Sequence, residues 1–507
     1  MVRILKSFEY KAINDACVAW LGLRLSPMAQ QRTGIPNNAP NWGLRNGTYY
    51  GEFRMSELDY EEDFLMDRIQ IAVLGASSIP PPTNFELKFN TCTLDPKQDL
   101  VVLVEDEQEG SGFAHFHFRS LTTGHPHPLA EHPVLTVRLD KAFLRNNNLL
   151  DQPMSTDREI MESYFLAKIH WPESDYKISE ILVWEWKTGA LLSRIYHEHT
   201  SARFVFIDKS HLLIYSILPE DTHHSARIAL FVYRIPSITT NSGPVPGEVV
   251  YTKSAMLCCS HVITLGLEFR IYSHPNLRSC AYEPPEGNKK TVDFRVFVDT
   301  HSLFFHILPH STEDTTIIPW TDWGTDATRW FIEDRSMEHL MLDLYRSQYT
   351  RYTTIKSTET QLLSIVDFNS PVIKLHNSGA SSRPKRASAD KVEKNAILDG
   401  RGLTAGRPFQ TRISSAKLPI PTVGKTLNHQ TFTEMITSEI KTIVRVGFKD
   451  PVESCLPYRV VTKVQRMPRH VHWQIHGEYL VGISRRDWNA AERPPLSLYK
   501  LELPLPS

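Results

Sequence analysis

The chain reads as an all-β protein, a WD-like β-propeller, on three observations. The first is composition within residues 180–235, EILVWEWKTGALLSRIYHEHTSARFVFIDKSHLLIYSILPEDTHHSARIALFVYRI. Runs of β-branched and aromatic residues alternate there with short polar breaks, the pattern of adjacent antiparallel strands. Ile181 and Val183 alternate with Leu182, Trp184 and Trp186, so both faces of the sheet are dry and need a neighbour on each side. The second is recurrence. A strand, an Asp-led turn and a second strand recur around Asp95, Asp208 and Asp299, and Gly477 takes the same place in WQIHGEYLVGI. The third is length: 507 residues exceed one two-layer core unless that core is repeated radially. About six to eight blades follow, with seven the central expectation; a pair of β-sandwiches is the alternative arrangement.

In chain order, residues 1–85 do not resemble blades and are expected to form a small extension of helix and loop. Residues 12–25 suit a short amphipathic helix, 34–47 are rich in Pro, Asn and Gly, and 56–68 (SELDYEEDFLMDR) suit an acidic helix with its carboxylates in the first turns. Residues 86–376 hold the blades. Lys187-Thr188-Gly189 supplies a glycine where a hairpin needs positive φ. Within 334–345 (DRSMEHLMLDLY), Met337, Leu340, Met341 and Leu344 make one apolar helical stripe. Residues 377–421 are small, polar and basic with a single aromatic, Phe409, and are expected to be a disordered insertion. Its Arg383, Lys385 and Arg386 form a possible nuclear-import cluster, or simply a solvated tether. Residues 422–507 return to strands, and the strand near 497–503 is expected to close the ring in a sheet shared with the N-terminal part.

Composition narrows the chemistry. A net charge of −1 gives no overall field for nucleic acid or an anionic membrane. The six cysteines contain no CxxC and suit reduced core thiols. The apolar run at 16–23 is too short to cross a bilayer. No GxSxG, P-loop or GxGxxG is present. The 22 histidines invite a metal site, but pairs such as His115 and His117 supply only half of a ligand set. No catalytic, cofactor or metal residue is therefore assigned. The residue types that dominate protein interfaces, Trp and Arg, gather in WGTDATRWF at a Gly-Thr-Asp turn, and Tyr with Arg in SCLPYRVV. Trp323, Arg329, Tyr458 and Arg459 are the candidate protein-binding residues. The competing reading makes the aromatics inter-blade core, with the arginine stems covering them.

Several stretches resemble a family, the basidiomycete F-box proteins with a C-terminal WD-like propeller. They are TLDPKQDLVVLVED, FHFRSLTTGHPHPL, VWEWKTGALL, WGTDATRWF, SIVDFNSP and SCLPYRVV, and together they span about residues 85–500. The resemblance implies a non-catalytic scaffold: the F-box grips the Skp-type linker of a cullin ubiquitin ligase, and the propeller holds a protein target. The opening Leu-Pro and acidic, leucine-rich helix of an F-box are not found; residues 13–23 resemble at most its last helix. A Skp-type partner is thus expected only if an F-box lies upstream. The expected location is intracellular, cytoplasmic or nuclear. The alternatives are a propeller enzyme with a site at the channel mouth, and a nucleic-acid or chromatin binder acting through the basic insertion.

Overall fold

The computed structural model describes residues 23, 25–26, 29–54, 65–105, 112–146, 149, 154–171, 179–197, 203–218, 227–235, 264–273, 290–300, 302–303, 320–333, 344–345, 348–355, 360–368, 396–398, 430–444, 451–468, 470–485, 487 and 490–502. Strands dominate them, arranged as successive antiparallel meanders. The first is Asn41–Arg45, Thr48–Phe53, Met66–Val73 and the start of Thr83–Asp95. That last strand runs on for 13 residues and serves two meanders. Its beginning pairs with Arg68 and Ile69, its end with Leu100–Glu105. Phe113–Ser120 and Val134–Arg138 complete the second meander, so the two form one seven-stranded sheet.

The third meander is Ser155–Met161, Tyr164–His170, Ser179–Glu185 and Ala190–His197. The fourth is Arg203–Asp208, His211–Leu218 and Arg227–Arg234; the fifth is Thr264–Ser273, Lys290–Asp299 and Thr328–Glu333. In the sixth, Gln348–Ile355, Thr360–Asp367, Tyr458–Met467 and Gln430–Ile436 lie side by side, with Leu344–Tyr345 at the edge. The closing sheet holds His472–His476, Tyr479–Ile483 and Leu496–Lys500, and its outer strand is Ala29–Gln31 from the other end of the chain. Gln30 sits opposite Ser497.

The apolar cores lie between successive sheets. Val101 and Leu103 meet Ile69 and Phe85 of the first meander, while Val102 and Phe116 on the opposite faces meet Phe165 and Trp184 of the third. Leu166 and Val183 then pack on Phe206 and Ile214 of the fourth. Phe297 joins the fifth to the sixth through Tyr349 and Phe368, and Leu363 and Val461 join the sixth to Trp473 and Leu480 of the closing sheet. Val481 and Leu498 of the closing sheet pack against Tyr49 and Phe53 of the first. A sheet that is apolar on both faces is covered only when a neighbour stands on each side, and a radial arrangement supplies that. The chain is an all-β protein of the WD-like propeller kind.

Several expectations are corrected. The stretch before residue 86 is not an appendage: residues 41–53 and 66–73 are strands of the first meander, and Leu25 bridges Leu501. Asn46 and Gly47, at φ 48° and 78°, make the hairpin turn that a Pro/Asn/Gly-rich reading took for loop. Residues 66–68 of the expected acidic helix belong to a strand, with Leu65 just before it; 56–64 fall outside the described residues, as does most of the expected helix at 12–25. Of the apolar stripe at 334–345, only Leu344 and Tyr345 are described, and they pair with Tyr349 and Gln348 as strand. Within the 377–421 insertion, Ala396–Leu398 runs parallel to Thr442–Val444, which in turn pairs with Val452–Ser454. The supposed turn around Gly324 is an α-helix, Trp320–Ala327, leading directly into the strand Thr328–Glu333.

Candidate functional site

Three of the four candidate residues are brought to one corner, between the Trp320–Ala327 helix and the strands at 442–444, 452–454 and 458–467. All four are buried, Arg329 at 1% exposure and Arg459 at 2%. Trp320 packs edge-on against Trp323 at 5.1 Å and Trp330 at 5.8 Å. Gly324 has no side chain because Trp320 occupies the place: a Cβ there would lie 2.2 Å from its ring. The helix is pinned to the strand after it by Thr328 Oγ1 donating to Gly324 O at 2.6 Å. It is pinned to the 452–454 strand by Cys455 N donating to Thr325 O at 2.7 Å, and by the Cys455 thiol donating to Asp326 Oδ1 at 3.0 Å. Burial, then Asp326, pushes that thiol up to about 11.

Arg329 crosses this corner as a strut. Its Nε donates to Leu456 O at 2.8 Å, and Nη1 to Ile440 O at 2.9 Å and Thr442 Oγ1 at 3.1 Å. The guanidinium lies 5.2 Å from the centre of the Tyr458 ring. Burial pulls its pKa below the ordinary value, against a smaller upward pull from Tyr458 and Cys455. Tyr458 also packs edge-on against Phe331. Arg459, one residue on, points to the other face of its strand and pairs with Asp367 at 3.0 Å, both side chains being buried. These residues set the position of the surrounding backbone and are themselves covered. Arg383, Lys385 and Arg386 lie outside the described residues.

A second cluster is not visible in the sequence, because its first members lie before residue 86, where the composition does not resemble blades. The first strands of neighbouring meanders touch through polar side chains. Arg45 reaches Thr93 Oγ1 at 2.8 Å and Ile160 O at 2.9 Å. Arg158 reaches Thr91 Oγ1 at 2.7 Å and Thr156 Oγ1 at 2.8 Å. Beside them Glu52, 2% exposed, accepts from Asn41 Nδ2 at 3.1 Å and from the Cys92 thiol at 3.2 Å. Burial pushes Glu52 up, toward its neutral form, although Asn41, Cys92 and Arg158 work against this. The Cys92 thiol is pushed well up by burial and then by Glu52. Asp157, in contrast, sits below the usual carboxylate range: burial raises it, but the Lys168 ammonium at 3.0 Å outweighs that together with His170 and Arg203. The signal available in the sequence was charge inside strand patterns, Arg45 in WGLRNGTYY and Arg158 in STDREIM.

The histidines are used singly. His115 bonds Thr136, His117 bonds Glu105 at 2.8 Å, His470 bonds Ser484 at 3.1 Å, and His476 accepts from Gly47 N. Among the described residues, no group of three or more His, Cys, Asp or Glu is placed to hold a metal ion, and no helix is long and apolar enough to cross a membrane.

No protein-family model matches the chain, and no curated protein matches it. Among solved structures it is similar to the WD40 domain of SCAP from fission yeast, at 8% identity and a TM-score of 0.28, covering 86% of this chain and 98% of that one. It is also similar to a eukaryotic initiation factor, at 9% identity and a TM-score of 0.24, covering 68% of this chain and 93% of that one. Overlap this loose leaves the propeller assignment resting on the sheets, the cores between them and the shared closing sheet.

Proposed function

We propose that the chain is a non-catalytic platform for protein segments, the target-receiving propeller of an F-box-family ubiquitin-ligase adaptor. The observation behind this reading is the pairing of Ala29–Gln31 with Leu496–Lys500. A ring whose ends share one sheet resists opening, so its turns and loops are held in fixed relative positions. Such a body binds by complementarity and needs no covalent step. Its deep charged groups fit that role, since Arg329 braces backbone and Arg459 pairs with the buried Asp367 rather than facing outward. The family assignment draws on the resembling stretches at about residues 85–500; it carries with it a cytoplasmic or nuclear location and, only where an F-box lies upstream, a Skp-type linker as partner. Affinity capture with the full-length native protein, followed by identification of the bound proteins, tests it. Recovery of a Skp-type protein and a cullin supports the adaptor. Recovery of a target without either keeps the platform and removes the ligase connection.

A further inference from the structure

We propose that Arg45 and Arg158, brought together across the strands Asn41–Arg45, Thr83–Asp95 and Ser155–Met161, form a binding site for one phosphate group. Each guanidinium is held only by neutral oxygen atoms: Thr93 Oγ1 and Ile160 O for Arg45, Thr91 Oγ1 and Thr156 Oγ1 for Arg158. No carboxylate lies within ion-pair distance of either among the described residues. Thr91 and Thr93 are two residues apart on one strand, so their side chains share a face and stand about 7 Å apart. The two cations are therefore anchored to neighbouring positions on one face of that strand. Arg158 Nε is buried and has no acceptor, and both arginine side chains keep part of their surface accessible.

A desolvated cation is costly without a counter-charge, and a guanidinium fork matches the geometry of an oxyanion. The nearest acids are poor substitutes. Glu52 already accepts from Asn41 and Cys92, and burial pushes both Glu52 and Glu159 toward the neutral form. Asp157 is engaged by Lys168. Tyr50 and Cys92, also close to both arginines, are held protonated by burial. The group that completes the site is thus an anion brought from outside, either free in solution or carried on a side chain of a bound protein segment.

The test is thermal unfolding of the full chain in orthophosphate against chloride at matched ionic strength. A saturable rise in Tm with phosphate alone is expected. Arg45→Gln and Arg158→Gln should each weaken the apparent phosphate affinity about ten- to hundredfold, the scale of a lost hydrogen bond to a charged group. Arg158→Lys keeps the charge without the fork, so it should weaken binding less while preserving the fold. A phosphoserine peptide compared with its unphosphorylated form separates the two sources: a shift with the peptide assigns the site to protein segments, a shift with orthophosphate alone to a free anion. Phosphate that does no more than chloride overturns the proposal and leaves the arginines as struts. So does a phosphate effect that survives Arg158→Lys and either glutamine variant unchanged. Because free phosphate is the probe, a failure to capture protein partners would not affect the outcome.

Discussion

Trp184 shows how a single side chain reports on the architecture. It is 4% exposed and lies 5.6 Å from Phe116 of the second meander and 5.5 Å from Phe165 of its own. Its contacts therefore belong to the interface between sheets. Truncation to alanine should cost about 3–5 kcal/mol, as for other large-to-small core changes, and denaturant unfolding reads this directly. A second residue-scale prediction concerns acid. Burial lowers His470 to about 4, and its ring packs 4.6 Å from Trp473. Above about pH 6.5 the ring is neutral whether the chain is folded or not. Between there and about 4 the unfolded chain takes up a proton that the folded chain refuses, so stability falls as pH falls. The loss approaches about 3 kcal/mol. His117 and His170, lowered mainly by burial, act in the same direction. Tm measured against pH should flatten over this window in His470→Gln relative to the native chain.

Among the elements, the hairpin of Asn41–Arg45 and Thr48–Phe53 is the most instructive. The sequence WGLRNGTYYGEF contains Asn-Gly between strand-forming residues, a strong local hairpin signal. It was masked by the prolines and asparagines just before it. Asn46 and Gly47 both take positive φ, and a Cβ on Gly47 would meet nothing within 4 Å. Gly47→Ala therefore isolates the backbone effect. It should cost about 1–2 kcal/mol, the penalty of left-handed backbone for a residue with a Cβ, measured by the shift of the unfolding midpoint. The Asp-led turns were legible for the opposite reason, since their signal is local and repeated. Asp95 Oδ1 accepts from Lys97 N at 3.1 Å and Asp208 Oδ1 from Ser210 N at 2.6 Å, the same bond to the backbone two residues on. The Trp320–Ala327 helix was not legible. Gly324 and a run of aromatic and β-branched residues argue against helix locally, and the packing of Trp320 and Trp323 against Trp330 overrides them.

For the whole molecule, the closing sheet is the decisive feature. Gln30 Nε2 donates to Ser497 Oγ at 3.2 Å across the pairing that joins the two ends of the chain. A Gln30→Cys, Ser497→Cys double variant should cross-link on mild oxidation, seen as a mobility change on a non-reducing gel. The cross-link should stabilise the fold by about 2–5 kcal/mol, because it removes the chain entropy of an open ring. Absence of cross-linking would mean that the ends do not share a sheet. The candidate binding residues belong to this scale too. Trp323, Arg329 and Tyr458 are of the residue types common in interfaces, and the fold brings them together, but around backbone carbonyls and aromatic rings inside the protein.

The sequence by itself determined the class of protein and the punctuation of its strands. Alternation, turn chemistry and apolar faces act over a few residues and are written where they act. Which charged residues meet was decided only by tertiary structure. Arg45, Thr93 and Arg158 are separated by 48 and 65 positions, and no local pattern states that three strands from different parts of the chain will stand side by side. The same holds for Ala29–Gln31 and its partner strand at the opposite end, since a strand reveals its propensity in sequence but its neighbour only when the ring is packed.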